Sequence, residues 1–131
     1  MSKLIKPYLF TLIPLLILDF LWLKFFAKNF YTKHLGFLFA EKFNLIPAVI
    51  FYLLYAGALV FFVLRTTTFD SIGMIFIAGA LFGLVAYGTY DLTNQTTIKN
   101  WPVIVTLVDM AWGAFVTGVV CAISAWLNRN I

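Results

Sequence analysis

The 131 residues are 63% hydrophobic and only 11% charged, with a formal net charge of +4. A typical soluble domain is about a quarter charged, so this composition excludes a soluble fold and points to a protein embedded in lipid. The positive residues stand singly rather than in a patch, which excludes nucleic acid as a partner while leaving anionic lipid as one. The single cysteine, Cys121, excludes an internal disulfide.

In chain order, Lys3 and Lys6 precede an apolar run that resembles a signal peptide. Asp19 inside that run and the lack of a small-residue cleavage site before Lys28 instead make it a first membrane helix, over about 8–26. Pro14 is expected to bend this helix, which membrane helices tolerate. Asp19 lies roughly 10 Å from the helix's far end at 1.5 Å per residue. Lys24, close behind it, gives Asp19 a bland reading as one half of an ion pair.

The segment 27–42 mixes Lys28, Lys33, Glu41 and Lys42 with Phe30, Tyr31, Leu35, Phe37, Leu38 and Phe39, a pattern suited to a short interfacial helix or re-entrant segment. It carries His34, the one side chain whose ordinary titration lies near neutrality. A second span is expected over about 44–64, with Pro47 in its first turn. The link through Arg65, the three threonines, Phe69 and Asp70 is short enough to imply antiparallel neighbours. A third span follows over about 71–90, where Gly79 and Gly83 form a GxxxG pair that permits close helix contact and also fits a homodimer.

The densest polar run is Asp91 to Asn100, containing Thr93, Asn94, Gln95, Thr96, Thr97 and Lys99, and it reads as a polar turn. Trp101 and Pro102 mark the start of a fourth span, about 101–126, with the tryptophan at headgroup level. Between Val103 and Trp126 the only charged residue is Asp109, roughly 12 Å below the helix start. Trp112, three positions on, is placed to shield Asp109 or donate its indole N–H to it. The expected fold is thus all-α: an integral membrane antiparallel four-helix bundle forming a single domain over 1–131.

Four crossings place both termini and the second loop on one side, and the first and third loops on the other. Asp19, Asp91 and Asp109 then share one half of the membrane, with His34, Thr93 and Asn94 above them. Orientation is a tie: Lys3, Lys6, Arg65 and Arg129 face one side against Lys28, Lys33, Lys42 and Lys99 on the other, so loop charge decides nothing. The lysines directly before the first helix lean toward a cytoplasmic N-terminus.

Ionisable residues inside a membrane are costly and are read by default as functional. Asp19, Asp109 and His34 are therefore the candidate acid, base or cation-holding groups. Asp91, Thr93, Asn94, Trp22, Trp112 and Tyr90 are the candidate ligand-binding lining. Against this stand structural hydrogen bonds from Trp22, Trp112 or Thr106, capping by Asp91 and Asn94, and belt anchoring by the tryptophans and tyrosines. One His and one distant Cys are too few for a zinc site, so no metal is assigned. No nucleotide loop, HExxH or GxSxG motif is present.

The stretches LDFLWL, YDLTNQTTIKNWP and DMAWG together resemble an uncharacterised family of small bacterial four-helix inner-membrane proteins over essentially the whole chain. The matching positions are Asp19, Trp22, Tyr90, Asp91, Thr93, Asn94, Thr97, Trp101, Pro102, Asp109, Trp112 and Gly113. The resemblance implies the fold, a bacterial inner-membrane location and a lean toward lipid-linked chemistry, and carries no activity. The functional expectation is binding or modification of a lipid or other amphiphile at a polar cavity near one face. Membrane lipids, an amphiphilic small molecule and a homodimer mate are the expected partners; no cofactor is indicated. The alternatives are a small proton-coupled transporter and a structural or assembly subunit of a membrane complex.

Overall fold

A computed structural model describes residues 2–65 and 71–131. Among them, helix α1 (Ser2–Trp22) runs through a π-helical turn at Leu23–Ala27 into α2 (Lys28–Leu35) and a 3-10 turn at Gly36–Leu38. Helix α3 (Ile46–Leu59) ends in a second π turn at Val60–Leu64 and is followed by α4 (Ile72–Thr97) and α5 (Val103–Asn130). Four stretches, Lys3–Leu38, Ile46–Leu64, Ile72–Thr97 and Val103–Asn130, are long and apolar enough to cross a membrane, and no strand occurs among the described residues. The molecule is an all-helical bundle of the expected kind. The expected link at Thr66 to Asp70 lies outside the described residues.

The first helical stretch is 36 residues long, about 54 Å if straight, against a hydrocarbon core of about 30 Å. Its contacts show how the excess is accommodated. Asp19 meets Trp112 and Tyr31 meets Asp109. A straight helix would rise about 18 Å between Asp19 and Tyr31, whereas their partners on α5 are separated by about 4.5 Å. Beyond Trp22 the chain therefore crosses α5 obliquely, and the π turn is where it changes direction. Helix α2 lies across the bundle's end, with Leu35 buried against Trp101 and Val105. This is the short helix expected between the first two spans, joined continuously to α1.

Helices α4 and α5 form the tightest pair, and their seam repeats every four residues on both sides. Gly79 lies against Thr117 and Cys121, Gly83 against Gly113 and Thr117, and Tyr87 against Gly113. The absent glycine side chains let the two backbones meet, so the GxxxG face is occupied within the chain. One step further along the same register brings Asp91 to Asp109. On its other side α5 packs against α1, which also meets α3. The main core gathers Leu15, Tyr55, Leu59, Val63, Ile75, Val116, Val120 and Cys121.

Two helix ends differ from expectation. Helix α4 continues to Thr97 rather than ending near Tyr90, because its polar residues bond back to their own helix: Thr96 to the Leu92 carbonyl and Thr97 to that of Thr93, both at 2.9 Å. The true turn is 98–102, where Asn100 takes a positive φ of 65°, a conformation asparagine tolerates. Trp101 is 5% exposed, packed inside the protein. Its indole donates to Thr106 Oγ1 at 3.0 Å, Thr106 donates to Gln95 Oε1 at 2.8 Å, and Gln95 Nε2 donates to the Trp101 carbonyl at 2.8 Å. That closed ring of three residues staples the α4–α5 hairpin.

Candidate ligand site

Two acidic clusters occupy the same half of the bundle, and they differ in how their charge is met. In the first, Asp19 on α1 accepts hydrogen bonds from the Tyr52 hydroxyl of α3 and from Trp112 Nε1 of α5, the latter at 3.1 Å. Trp22, one turn on, stacks on Trp112 with ring centroids 4.3 Å apart and planes within 6°. Three helices are tied at one carboxylate, and a flat aromatic pair covers it. Lys24 takes no part: five residues place it about 140° around a regular helix, and its ammonium lies over the Phe25 ring at 5.4 Å.

The second cluster is built on the α4–α5 seam. Asp109 Oδ1 accepts from the Tyr31 hydroxyl of α2 at 2.6 Å, and Asp109 also lines a cavity of about 230 Å³ with Phe51, Ala86, Tyr87 and Tyr90. Asp91 stands beside it, fully buried. Among the described residues no donor reaches either Asp91 carboxyl oxygen; the neighbour with which the group interacts is the Asp109 carboxyl. Tyr87 lies between the clusters, within electrostatic reach of both Asp19 and Asp109. The three acids thus share one polar layer with Tyr31, Tyr52 and Tyr87.

The cavity is lined from three helices, by Phe51 of α3, by Ala86, Tyr87 and Tyr90 of α4 and by Asp109 of α5. Helices α3 and α4 meet little along their length. Ala86 also lines a second, apolar groove of about 620 Å³ between α4 and the π turn that ends α3, walled by Phe62, Val63, Met74, Leu81 and Phe82 among others. Both cavities are lined by Ala86 and follow α4 in sequence, as a furrow that is apolar beside Met74 and acidic beside Asp109. From Met74 to Ala86 it follows α4 for about 18 Å.

With this geometry in place, the chain can be set beside known proteins. Residues 4–126 match the profile of a family described as Predicted membrane protein (DUF2177). The chain belongs to the DUF2177 family. The whole-chain resemblance to an uncharacterised four-helix membrane family is therefore correct, and this DUF2177 chain is a membrane protein with four candidate spans. No curated protein and no solved structure matches it at a significant level.

The remaining site expectations divide clearly. In this DUF2177 chain Asp19, Asp91 and Asp109 come together in one half, as the topology argument required. Trp112 is beside them but donates to Asp19 rather than to Asp109, because α1 crosses its face of α5. Tyr90 reaches the cavity, edge-on to Trp101 at 5.8 Å. His34 does not reach the acids: its Nδ1 lies 2.9 Å from the Phe30 carbonyl of its own helix, and its ring sits on Phe30. Thr93 is exposed and bonds back to the Thr89 and Tyr90 carbonyls. Asn94 is half-buried one turn beyond Tyr90 and lines neither cavity.

Tyr31, Tyr52, Tyr87 and Phe51 were not anticipated as site residues. The usable signal was that Tyr52 sits well inside an apolar run, too deep for a belt anchor, where a hydroxyl needs a partner. Among the described residues no three His, Cys, Asp or Glu side chains are grouped to hold a metal ion.

Proposed function

We propose that this protein binds a lipid or lipid-like amphiphile in the furrow between α3 and α4, with the tail along the apolar groove and the polar group at Asp109, within a bacterial inner membrane. The observation that carries this reading is that Ala86 lines both cavities, about 620 Å³ of apolar space and about 230 Å³ beside a carboxylate. The acidic end holds about eight waters' worth of volume at ~30 Å³ each, enough for a small head and too little for a whole amphiphile. The rest of the ligand must lie in the apolar part.

The chemistry of the head follows from what surrounds it. Asp109 offers acceptor oxygens to the cavity, and among the described residues it is Tyr31 that donates to it. A donor-rich or cationic group, such as a primary ammonium, complements that end; an anionic head does not. Asp19, already held by two donors, serves to fix α1, α3 and α5 around the site.

The test uses the full chain in neutral detergent micelles, with thermal stabilisation by dodecylamine compared with that by dodecanol. Stabilisation by the amine is expected in the parent protein. Asp109→Asn should abolish it by removing the charge, and Ala86→Leu should weaken it by narrowing the neck of the furrow. Equal stabilisation by the two probes, or an undiminished response in both variants, defeats the reading.

A further inference from the structure

A second groove, sharing no lining residue with the furrow, runs where the π turn passes into α2. It encloses about 460 Å³, within the ~300–1,000 Å³ range of small-molecule sites. Lys24, Lys28 and Thr32 line one side of it, and Phe20, Phe39 and Phe43 wall the rest. The π turn explains the arrangement: it winds the chain so that residues near the end of the first span and residues of the crossing helix look into one hollow, against the segment returning toward α3.

Among the described residues neither lysine has a carboxylate partner. Lys24 has only the Phe25 ring, and Asp19 is committed to Tyr52 and Trp112. Two lysines without a carboxylate partner therefore border an apolar hollow, their stems against it. This hollow lies at the level where α2 crosses the bundle's end, about 8 Å beyond Asp19 at Lys24 and about 14 Å at Lys28 along a straight helix.

We propose that this groove is a binding site for an anionic phospholipid, whose phosphate is held by Lys24 and Lys28, with Thr32 supplying a hydroxyl and the acyl chain lying on the three phenylalanines. The occupant is fixed by charge and by shape together. The lysines select a phosphate, and the aromatic walls select a ligand with a chain rather than a free ion. The site takes the opposite charge from the furrow, so the two do not compete for one ligand. They are linked only through Tyr31, which lines this groove while its hydroxyl bonds Asp109.

Phosphatidylglycerol and phosphatidylcholine are titrated separately into the full chain in neutral micelles, with the melting temperature as readout. Phosphatidylglycerol should stabilise the parent protein at lower concentration than phosphatidylcholine does. A lysine near a membrane surface contributes roughly a fivefold change in affinity for anionic lipid, so Lys28→Gln should raise the half-saturating concentration about fivefold and K24Q/K28Q about twenty-fivefold. K3Q/K6Q, which removes the same charge at the opposite end of α1, should behave as the parent.

An unchanged titration in K24Q/K28Q overturns the proposal. So does an equal loss in K3Q/K6Q, which would mean charge without a site, or full stabilisation by inorganic phosphate alone, which would mean an ion site without a lipid. Both lysines are exposed, so the variants are expected to fold, and Lys28→Gln alone is sufficient to decide.

Discussion

The α4–α5 seam positions Asp91 against Asp109, and it can be tested by adding one methyl group at a time. At Gly83 a Cβ would stand 2.5 Å from Thr117 Oγ1 and 2.7 Å from Thr117 Cβ, with the Gly113 carbonyl oxygen nearer still. Ordinary carbon contact begins at about 3.5 Å, so the helices would have to part by about 1 Å, and the carbonyl is backbone that cannot rotate away. Overpacking of this kind costs about 1–3 kcal/mol, and the backbone clash puts Gly83→Ala near the upper end. Better helix propensity returns up to about 1 kcal/mol. The net loss is about 2 kcal/mol, or roughly thirtyfold in the unfolding equilibrium. Gly79→Ala, whose Cβ would meet Thr117 O and Cys121 Sγ at 2.9 Å, should lose less. Gly57→Ala, whose nearest contact is Tyr8 at 3.8 Å, should be neutral or slightly stabilised. Reversible unfolding in mixed micelles at increasing sodium dodecyl sulfate fraction, followed by tryptophan fluorescence, measures all three. Equal stability of Gly83→Ala and Gly57→Ala would show that the seam does not have this register.

Two further outcomes bear on the polar layer. A double-mutant cycle of Asp19→Asn and Tyr52→Phe in the same unfolding assay should give a coupling of about 0.6 kcal/mol, and at most about 1.7, the range for hydrogen bonds between membrane helices; strictly additive effects would remove that bond from the account. Thr106→Val should cost about 1–3 kcal/mol, because it strands the Trp101 indole N–H and the Gln95 carbonyl oxygen together; a variant as stable as the parent would mean that the staple does not hold the hairpin.

Hydropathy alone made the four helices legible, since long apolar windows in a chain with so few charges have few other uses. The start of α5 was legible too, from Pro102, which occupies its N-cap. The end of α4 was not. A run of Asp, Thr, Asn and Gln reads as a turn on local propensity, yet threonine hydroxyls that bond back to carbonyls four residues earlier are at ease in a helix. The shared half of the three acids followed from counting crossings. Their partners did not, because Tyr52, Tyr31 and Trp112 reach acids 33, 78 and 93 residues away in sequence, and nothing local specifies such pairs. One legible cue went unused: Gly79, Gly83, Tyr87 and Asp91 are spaced by four, as are Asp109, Gly113, Thr117 and Cys121. As two facing stripes, they place Asp91 opposite Asp109.

If the buried polar groups served only to hold helices together, they should be paired with one another, since an unpaired polar group in lipid costs several kcal/mol. Most of them are. Tyr55 and Thr117 hydroxyls lie 2.8 Å apart, Thr11 and Ser124 meet at 2.9 Å, and Asp19 has its two donors. Asp91 breaks the pattern: it is fully buried, no donor among the described residues reaches it, and it faces a second acid. Its backbone position on the glycine seam allows no retreat into solvent. The exception falls beside Asp109, the acid that lines the smaller cavity, which is why the proposed ligand site is placed there.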